Sequence, residues 1–328
     1  MALATFPKFA GIGRTSSLLD EELLILGDDD LGTKGWYISI QKPRDGLLAM
    51  KYTIHEHPLR QLTHRHSSLV SKNTLTVLGG KFKSRGKFSK FTWTELSLKW
   101  ENGSKYHPAF TSACSVKIAA DVHIMFGGER NVQNEQISGR RVVKINTTEE
   151  KVYQMAEMNQ SRVFHDCQLL NESVVLLSGG LPQSQAESSE VLPDELYNIT
   201  SQRVVKVLDL QESLGRVQHA MIKIGERILA IGGRDSNNTV PSKIAEFNPS
   251  TNAWNFLDQE LQSTNTSQVA VTPFPVAALD CVPQCRCGIP NRRERIFGGE
   301  EAEVRFFFSQ FLNSPFLRLI LTHGLVHF

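Results

Sequence analysis

Ile228-Leu-Ala-Ile-Gly-Gly233 is an apolar run closed by a glycine pair, and the same phrase occurs upstream as Leu75-Thr-Val-Leu-Gly-Gly80, His123-Ile-Met-Phe-Gly-Gly128 and Val175-Leu-Leu-Ser-Gly-Gly180. The first glycines, Gly79, Gly127, Gly179 and Gly232, lie 48, 52 and 53 residues apart. A degenerate copy, Leu23-Leu-Ile-Leu-Gly-Asp28, keeps Gly27 alone, 52 residues before Gly79. A period near fifty implies one supersecondary unit repeated and stacked against its neighbours.

The flanks repeat too. Ahead of each pair a His or a small residue opens another strand, in His66-Ser-Ser-Leu-Val, Ser112-Ala-Cys-Ser-Val, His165-Asp-Cys-Gln-Leu and His219-Ala-Met-Ile-Lys. In two copies an arginine stands three residues earlier, as Arg162 and Arg216. After each pair come a variable polar stretch and two alternating runs joined by a turn. Lys243-Ile-Ala-Glu-Phe-Asn-Pro-Ser-Thr-Asn-Ala-Trp-Asn-Phe-Leu is the clearest case, its Asn248-Pro-Ser-Thr-Asn centre being turn chemistry.

Each unit therefore reads as four short strands, too small to bury both faces of its own sheet. Radial packing of such sheets solves the problem and leaves only short edges exposed. The glycines are expected where the chain leaves the second strand in a tight turn, at a place where a Cβ would clash and positive φ is needed. Strand, Gly-Gly, variable loop, turn and Trp at this period resemble the Kelch repeat family, over residues 14–260. The resemblance implies an all-β Kelch-type β-propeller with five recognisable blades. A sixth follows if the alternating run Ser267–Leu279 opens one that residues 1–13 complete. The propeller is assigned to residues 1–280, its N-terminus read as incomplete.

Past Leu279 the chain changes character, in Cys281-Val-Pro-Gln-Cys-Arg-Cys287-Gly-Ile-Pro-Asn-Arg-Arg-Glu-Arg295-Ile296-Phe-Gly-Gly-Glu-Glu-Ala-Glu-Val304. A zinc site is disfavoured, because Cys-x3-Cys-x-Cys lacks a fourth ligand at the usual spacing. Cys287-Gly288, Asn291, Arg295, Ile296, Gly298 and Gly299 follow the order of the activation segment of trypsin-like serine protease zymogens. That resemblance covers about twenty residues, 281–304. It implies cleavage of the Arg295–Ile296 bond and a linker disulfide through Cys287. It does not imply activity here: 32 residues follow Ile296, no Gly-Asp-Ser-Gly-Gly occurs, and no triad can be assembled. Residues 305–328 are an unassigned apolar tail, read as truncated or misread, and too polar for a spanning helix with Gln310, Asn313, Pro315 and Arg318 in it.

Charge and composition exclude several classes. Lys plus Arg number 36 against 34 Asp plus Glu, with no long basic run, so no nucleic-acid partner is expected. No cofactor or metal is expected either. Asp28-Asp-Asp30 reads as a solvated turn rather than a calcium loop, and the Tyr/His copper set of oxidases with Kelch folds is missing. His66, His165 and His219 hold equivalent positions and are expected to hydrogen-bond between adjacent blades. Cys114 and Cys167, in the first strands of successive units, are expected to be free buried thiols.

Seven glycosylation triplets occur, at Asn102, Asn146, Asn159, Asn171, Asn198, Asn237 and Asn265, where 16 asparagines would give roughly three. The excess favours secretion, whereas Met1–Ala10 lacks the pattern of a signal peptide. The expected function is non-catalytic binding of a protein or peptide through the loops 130–141, 181–195 and 235–242. The leading reading is the N-terminal recognition region of a secreted mosaic serine protease. The alternative is an intracellular Kelch adaptor. Composition and motifs leave the oligomeric state open.

Overall fold

The computed structural model describes residues 66–71, 74–78, 111–129, 139–182 and 190–258 with their side chains. It adds the backbone of strands at 15–19, 22–28, 35–41, 51–57, 87–93, 98–105, 131–132, 135–136, 269–275 and 304–310, and of the strand ends at 79 and 259–260. Among these residues there are strands and turns and no helix.

The strands pair antiparallel in four-stranded sheets that follow chain order. The first sheet is β1 (Thr15–Leu19), β2 (Glu22–Asp28), β3 (Gly35–Gln41) and β4 (Lys51–His57). The second is β5 (His66–Ser71), β6 (Thr74–Gly79), β7 (Lys87–Trp93) and β8 (Leu98–Lys105). In the third, β9 (Cys114–Ala119) and β10 (Val122–Phe126) are separated from β13 (Val142–Asn146) and β14 (Lys151–Met155) by a small hairpin of β11 (Asn131–Val132) and β12 (Glu135–Gln136). The fourth is β15 (Asp166–Leu169), β16 (Val174–Ser178), β17 (Glu195–Asn198) and β18 (Arg203–Val207). The fifth is β19 (Ala220–Ile224), β20 (Arg227–Ile231), β21 (Lys243–Asn248) and β22 (Ala253–Glu260).

The opening strands lie beside one another in a closed order. β1 neighbours β5, β5 neighbours β9, β9 neighbours β15, and β15 neighbours β19. β23 (Val269–Pro275) then lies beside both β19 and β1. It pairs with β24 (Val304–Gln310), from Val269↔Gln310 to Pro275↔Val304. The alternating run of the sequence is thus a strand within Ser267–Leu279, and the start of the apolar tail, left unassigned by sequence, is its partner. Residues 281–303, with Cys287, Arg295 and Ile296, lie outside the described residues, as do Gly80, Asp29, Asp30 and Asn265.

Burial explains why these units cannot stand alone. The second strand of a unit is covered on both faces: Val175, Leu176 and Leu177 are each fully buried, as are Ile228, Leu229, Ala230 and Ile231. One face of the fourth sheet packs Val175, Leu177 and Tyr197 against Ile124, Phe126 and Val142 of the third. The other face packs Leu176 and Leu196 against Met221, Ile228 and Phe247 of the fifth. Each such side chain contributes roughly 2 kcal/mol on burial, so most of a unit's stability lies in the seams with its neighbours.

Asparagine closes the turns at one end. Asn146 Oδ1 accepts from the Thr148 and Glu149 N–H, Asn171 Oδ1 from Ser173 and Val174, Asn198 Oδ1 from Ser201, and Asn248 Oδ1 from Ser250. An asparagine that imitates a backbone turn in this way needs no further reason to be there. Three of the glycosylation triplets, at Asn146, Asn171 and Asn198, are therefore also turn residues, whereas Asn159 and Asn237 are exposed at the opposite end. Asn102 lies within β8.

Candidate binding end and its seams

At the other end of the sheets, the second strand of one unit runs out against the connection that enters the next. Gly127 and Gly128 take φ of 63° and 89°, Gly179 and Gly180 61° and 89°, and Gly232 and Gly233 66° and 84°. A Cβ on Gly127 would lie 2.7 Å from the Arg162 carbonyl oxygen and 2.7 Å from His165 Cε1, both of the following unit. Gly128 N–H donates to that same Arg162 carbonyl at 2.8 Å, and Gly180 N–H to the Arg216 carbonyl at 3.1 Å. Glycine is required because the next unit occupies the space a side chain would need.

The two arginines are fixed in their own units. Arg162 Nη1 donates to the Gly179 carbonyl at 2.7 Å, Nη2 donates to the Pro193 carbonyl, and the guanidinium pairs with Glu195 at 3.1 Å, both side chains fully buried. Arg216 repeats the design, donating to the carbonyls of Gly232 at 3.2 Å and Lys243 at 2.9 Å. Its guanidinium lies 5.5 Å from the centre of the Phe256 ring, and burial lowers its pKa to about 10. An arginine three residues before the strand-opening histidine is therefore a clamp on the glycine turn, spent on carbonyl oxygens.

Asp194 is a second hub. It accepts from Ser178 Oγ at 3.1 Å, from Gly179 N–H at 2.8 Å, and from Trp254 Nε1 of the fifth sheet at 2.6 Å. Burial raises its carboxyl above the usual range, and these donors, led by Trp254, pull the other way. Trp254 also packs edge-on to Phe247, centroids 5.2 Å apart. The aromatic position of the repeat thus ties one seam by an indole N–H. At the preceding seam Tyr197 stacks edge-on to Phe126 at 5.3 Å and its hydroxyl donates to the Ala156 carbonyl at 2.8 Å.

Two expectations drawn from sequence are corrected. His165 and His219 are buried across the seams, but neither ring nitrogen of either one makes a hydrogen bond of normal geometry, although the His165 ring lies by the Phe126 carbonyl. They fill space beside Gly127 and Gly179 rather than bridge units by hydrogen bonds. Burial holds both rings down to about 3. Cys114 and Cys167 are not free thiols. They form a disulfide joining β9 to β15, because adjacent opening strands bring their Cα atoms to 5.8 Å. The clue in the sequence was their spacing of 53 residues, equal to the repeat, which places them side by side in neighbouring units.

The loops singled out by sequence rise from this end. In Asp235–Ser242, Asp235 Oδ1 accepts from the N–H groups of Asn237 at 2.9 Å and Thr239 at 2.8 Å, and Arg234 Nη1 donates to Asn238 Oδ1 at 2.7 Å. The described parts of the other two loops are anchored at their roots: Met158 N–H donates to Arg140 O, and Leu192 N–H to Gly180 O. Around the inner rim Ser112, Phe164 and Gln218 occupy equivalent positions with φ of 57°, 60° and 58°. Phe164 N–H donates to Ser112 O and Gln218 N–H to Phe164 O, so the rim is a belt of backbone hydrogen bonds. Among the described residues no three His, Cys, Asp or Glu side chains are grouped to hold a metal ion. The half-buried Asp166 and the buried Asp194 are occupied by backbone and indole donors. Among the described residues, the end offers one polar loop fixed by its own hydrogen bonds, Asp235–Ser242, on a base of backbone hydrogen bonds.

The Kelch motif family model matches residues 215–259, which take in the clamp arginine and all of the fifth sheet but its last residue. No curated protein matches the chain. Among solved structures, that of YjhT is similar at 14% identity with a TM-score of 0.50, covering 61% of this chain and 66% of that one. The chain thus spans slightly less than two thirds of that protein's length. At this identity the likeness is one of fold.

Proposed function

We propose that the chain is a non-catalytic, protein-binding propeller of six blades whose contact surface is the glycine-pair end. The observation that carries this reading is the pairing of a rigid inner rim with polar, variable loops rooted on it. The sixth blade rests on β23, which sits between β19 and β1 as an opening strand would. We further propose that it is the recognition region of a secreted mosaic serine protease. The Cys114–Cys167 disulfide supports an oxidising compartment, and the order Cys287, Asn291, Arg295, Ile296 supports the protease junction. The alternative, an intracellular adaptor, predicts reduced cysteines.

The test is proximity cross-linking on cells with the tagged full chain, in three forms: wild type, a variant with 235–242 replaced by Gly/Ser, and a variant with the 147–150 turn at the opposite end replaced likewise. The expected result is a cross-linked protein that disappears with the first replacement and persists with the second. Equal loss or equal retention in both variants would place the contact surface elsewhere. A transcript that continues into a His/Asp/Ser protease domain would bear on the second proposal.

A further inference from the structure

Three neighbouring seams carry three different links at nearly the same place. Between the second and third sheets, Ser67 Oγ at the start of β5 donates to Ala113 O just before β9, at 3.1 Å. Between the third and fourth, Cys114 at the start of β9 is bonded to Cys167, second residue of β15. Between the fourth and fifth, Asp166 at the start of β15 accepts from the N–H of Met221, second residue of β19, at 2.5 Å. In register Ser67, Cys114 and Asp166 are equivalent, each opposite the residue just before the glycine turn, at Leu78, Phe126 and Ser178. The hydroxyl, the disulfide and the carboxylate are alternative solutions to one joint, and only the disulfide can be switched by a reductant.

The two later seams also share a histidine against the first glycine, and the charges around it differ. At the third–fourth seam His165 faces the Arg162 guanidinium, His219 and the Phe126 carbonyl, with Glu195 behind Arg162. At the fourth–fifth seam His219 faces Arg216, with Asp235 beyond it, and the same seam holds Asp166. Asp166 Oδ1 accepts the N–H of Cys167 as its Oδ2 accepts that of Met221, so this carboxylate borders both seams.

We infer that the seam between the third and fourth sheets is the opening point of the ring, held shut by the Cys114–Cys167 disulfide and released by a dithiol reductant. The step balances simply. The dithiol supplies two electrons and two protons, the Cys114–Cys167 bond becomes two thiols, and the reductant's sulfurs close into their own disulfide. Once released, the seam retains only its packing and backbone contacts. This inference does not depend on which ligand the propeller binds.

The test is amide hydrogen exchange on the full chain, oxidised and after dithiothreitol, at pH 7.4. Gly128, Arg162 and Phe164 N–H report on the third–fourth seam, and Gly180, Gln218 and Met221 N–H on the fourth–fifth. Under conditions where exchange runs through local opening and not global unfolding, reduction is expected to speed the first set about tenfold or more and leave the second within about twofold. Cys114→Val/Cys167→Ala should reproduce the reduced pattern; if that variant does not fold, the reduced wild type carries the test. Equal acceleration of both seams on reduction, or none at the first, would overturn the inference.

Discussion

Substituting Gly179 by alanine isolates the contact on which the seams depend. Gly179 has φ of 61°, and a methyl group there would overlap the carbonyl of Arg216, which is backbone and cannot rotate away. That carbonyl also accepts the Gly180 N–H at 3.1 Å. Gly225 is the matched control: its φ is 55°, in the β19–β20 turn, and an added Cβ would meet nothing within 4 Å. Gly225→Ala therefore costs only the left-handed backbone of an L-residue, about 1 kcal/mol. Gly179→Ala adds a lost hydrogen bond of about 1 kcal/mol and a displaced seam of about 1–3 kcal/mol, for a total of about 3–5 kcal/mol. Thermal unfolding at pH 7.4 reads the difference, at about 2 °C per kcal/mol for a chain of this size. A Gly179→Ala midpoint within about 2 °C of the Gly225→Ala midpoint would refute the claim that the next unit fills that space.

Other expectations use the same assay. Trp254→Phe keeps the ring against Phe247 but removes the N–H from Asp194, costing about 2 kcal/mol. Arg162→Met leaves Glu195 buried without its cation and costs about 3–5 kcal/mol, whereas Arg162→Met with Glu195→Gln recovers most of the loss; a double variant no better than the single would argue against the pair. Reducing Cys114–Cys167 frees a loop of 53 residues in the unfolded chain and lowers stability by about 4 kcal/mol, read as a lower midpoint in dithiothreitol.

The sequence by itself determined the repeat, and with it the fold class. Every glycine pair, the arginine before the histidine, and the Asn-rich turns could be read from spacing, because hairpin geometry is local and tolerates few residue types. It also drew the loops at 130–141, 181–195 and 235–242 and the strand within Ser267–Leu279. What it could not supply is what faces what across a seam. Cys114 and Cys167 look like buried thiols along the chain and become a disulfide only when neighbouring opening strands lie side by side. His165 and His219 carry the chemistry of hydrogen bonding, yet their rings are packed behind the glycines and make no hydrogen bond of normal geometry. Asp194 carries no motif, and its role as a hub depends on Trp254 arriving from 60 residues away. Local conformation follows from the order of residues; the links between units depend on which face each strand turns to the next, and that is decided only when the ring of sheets is packed.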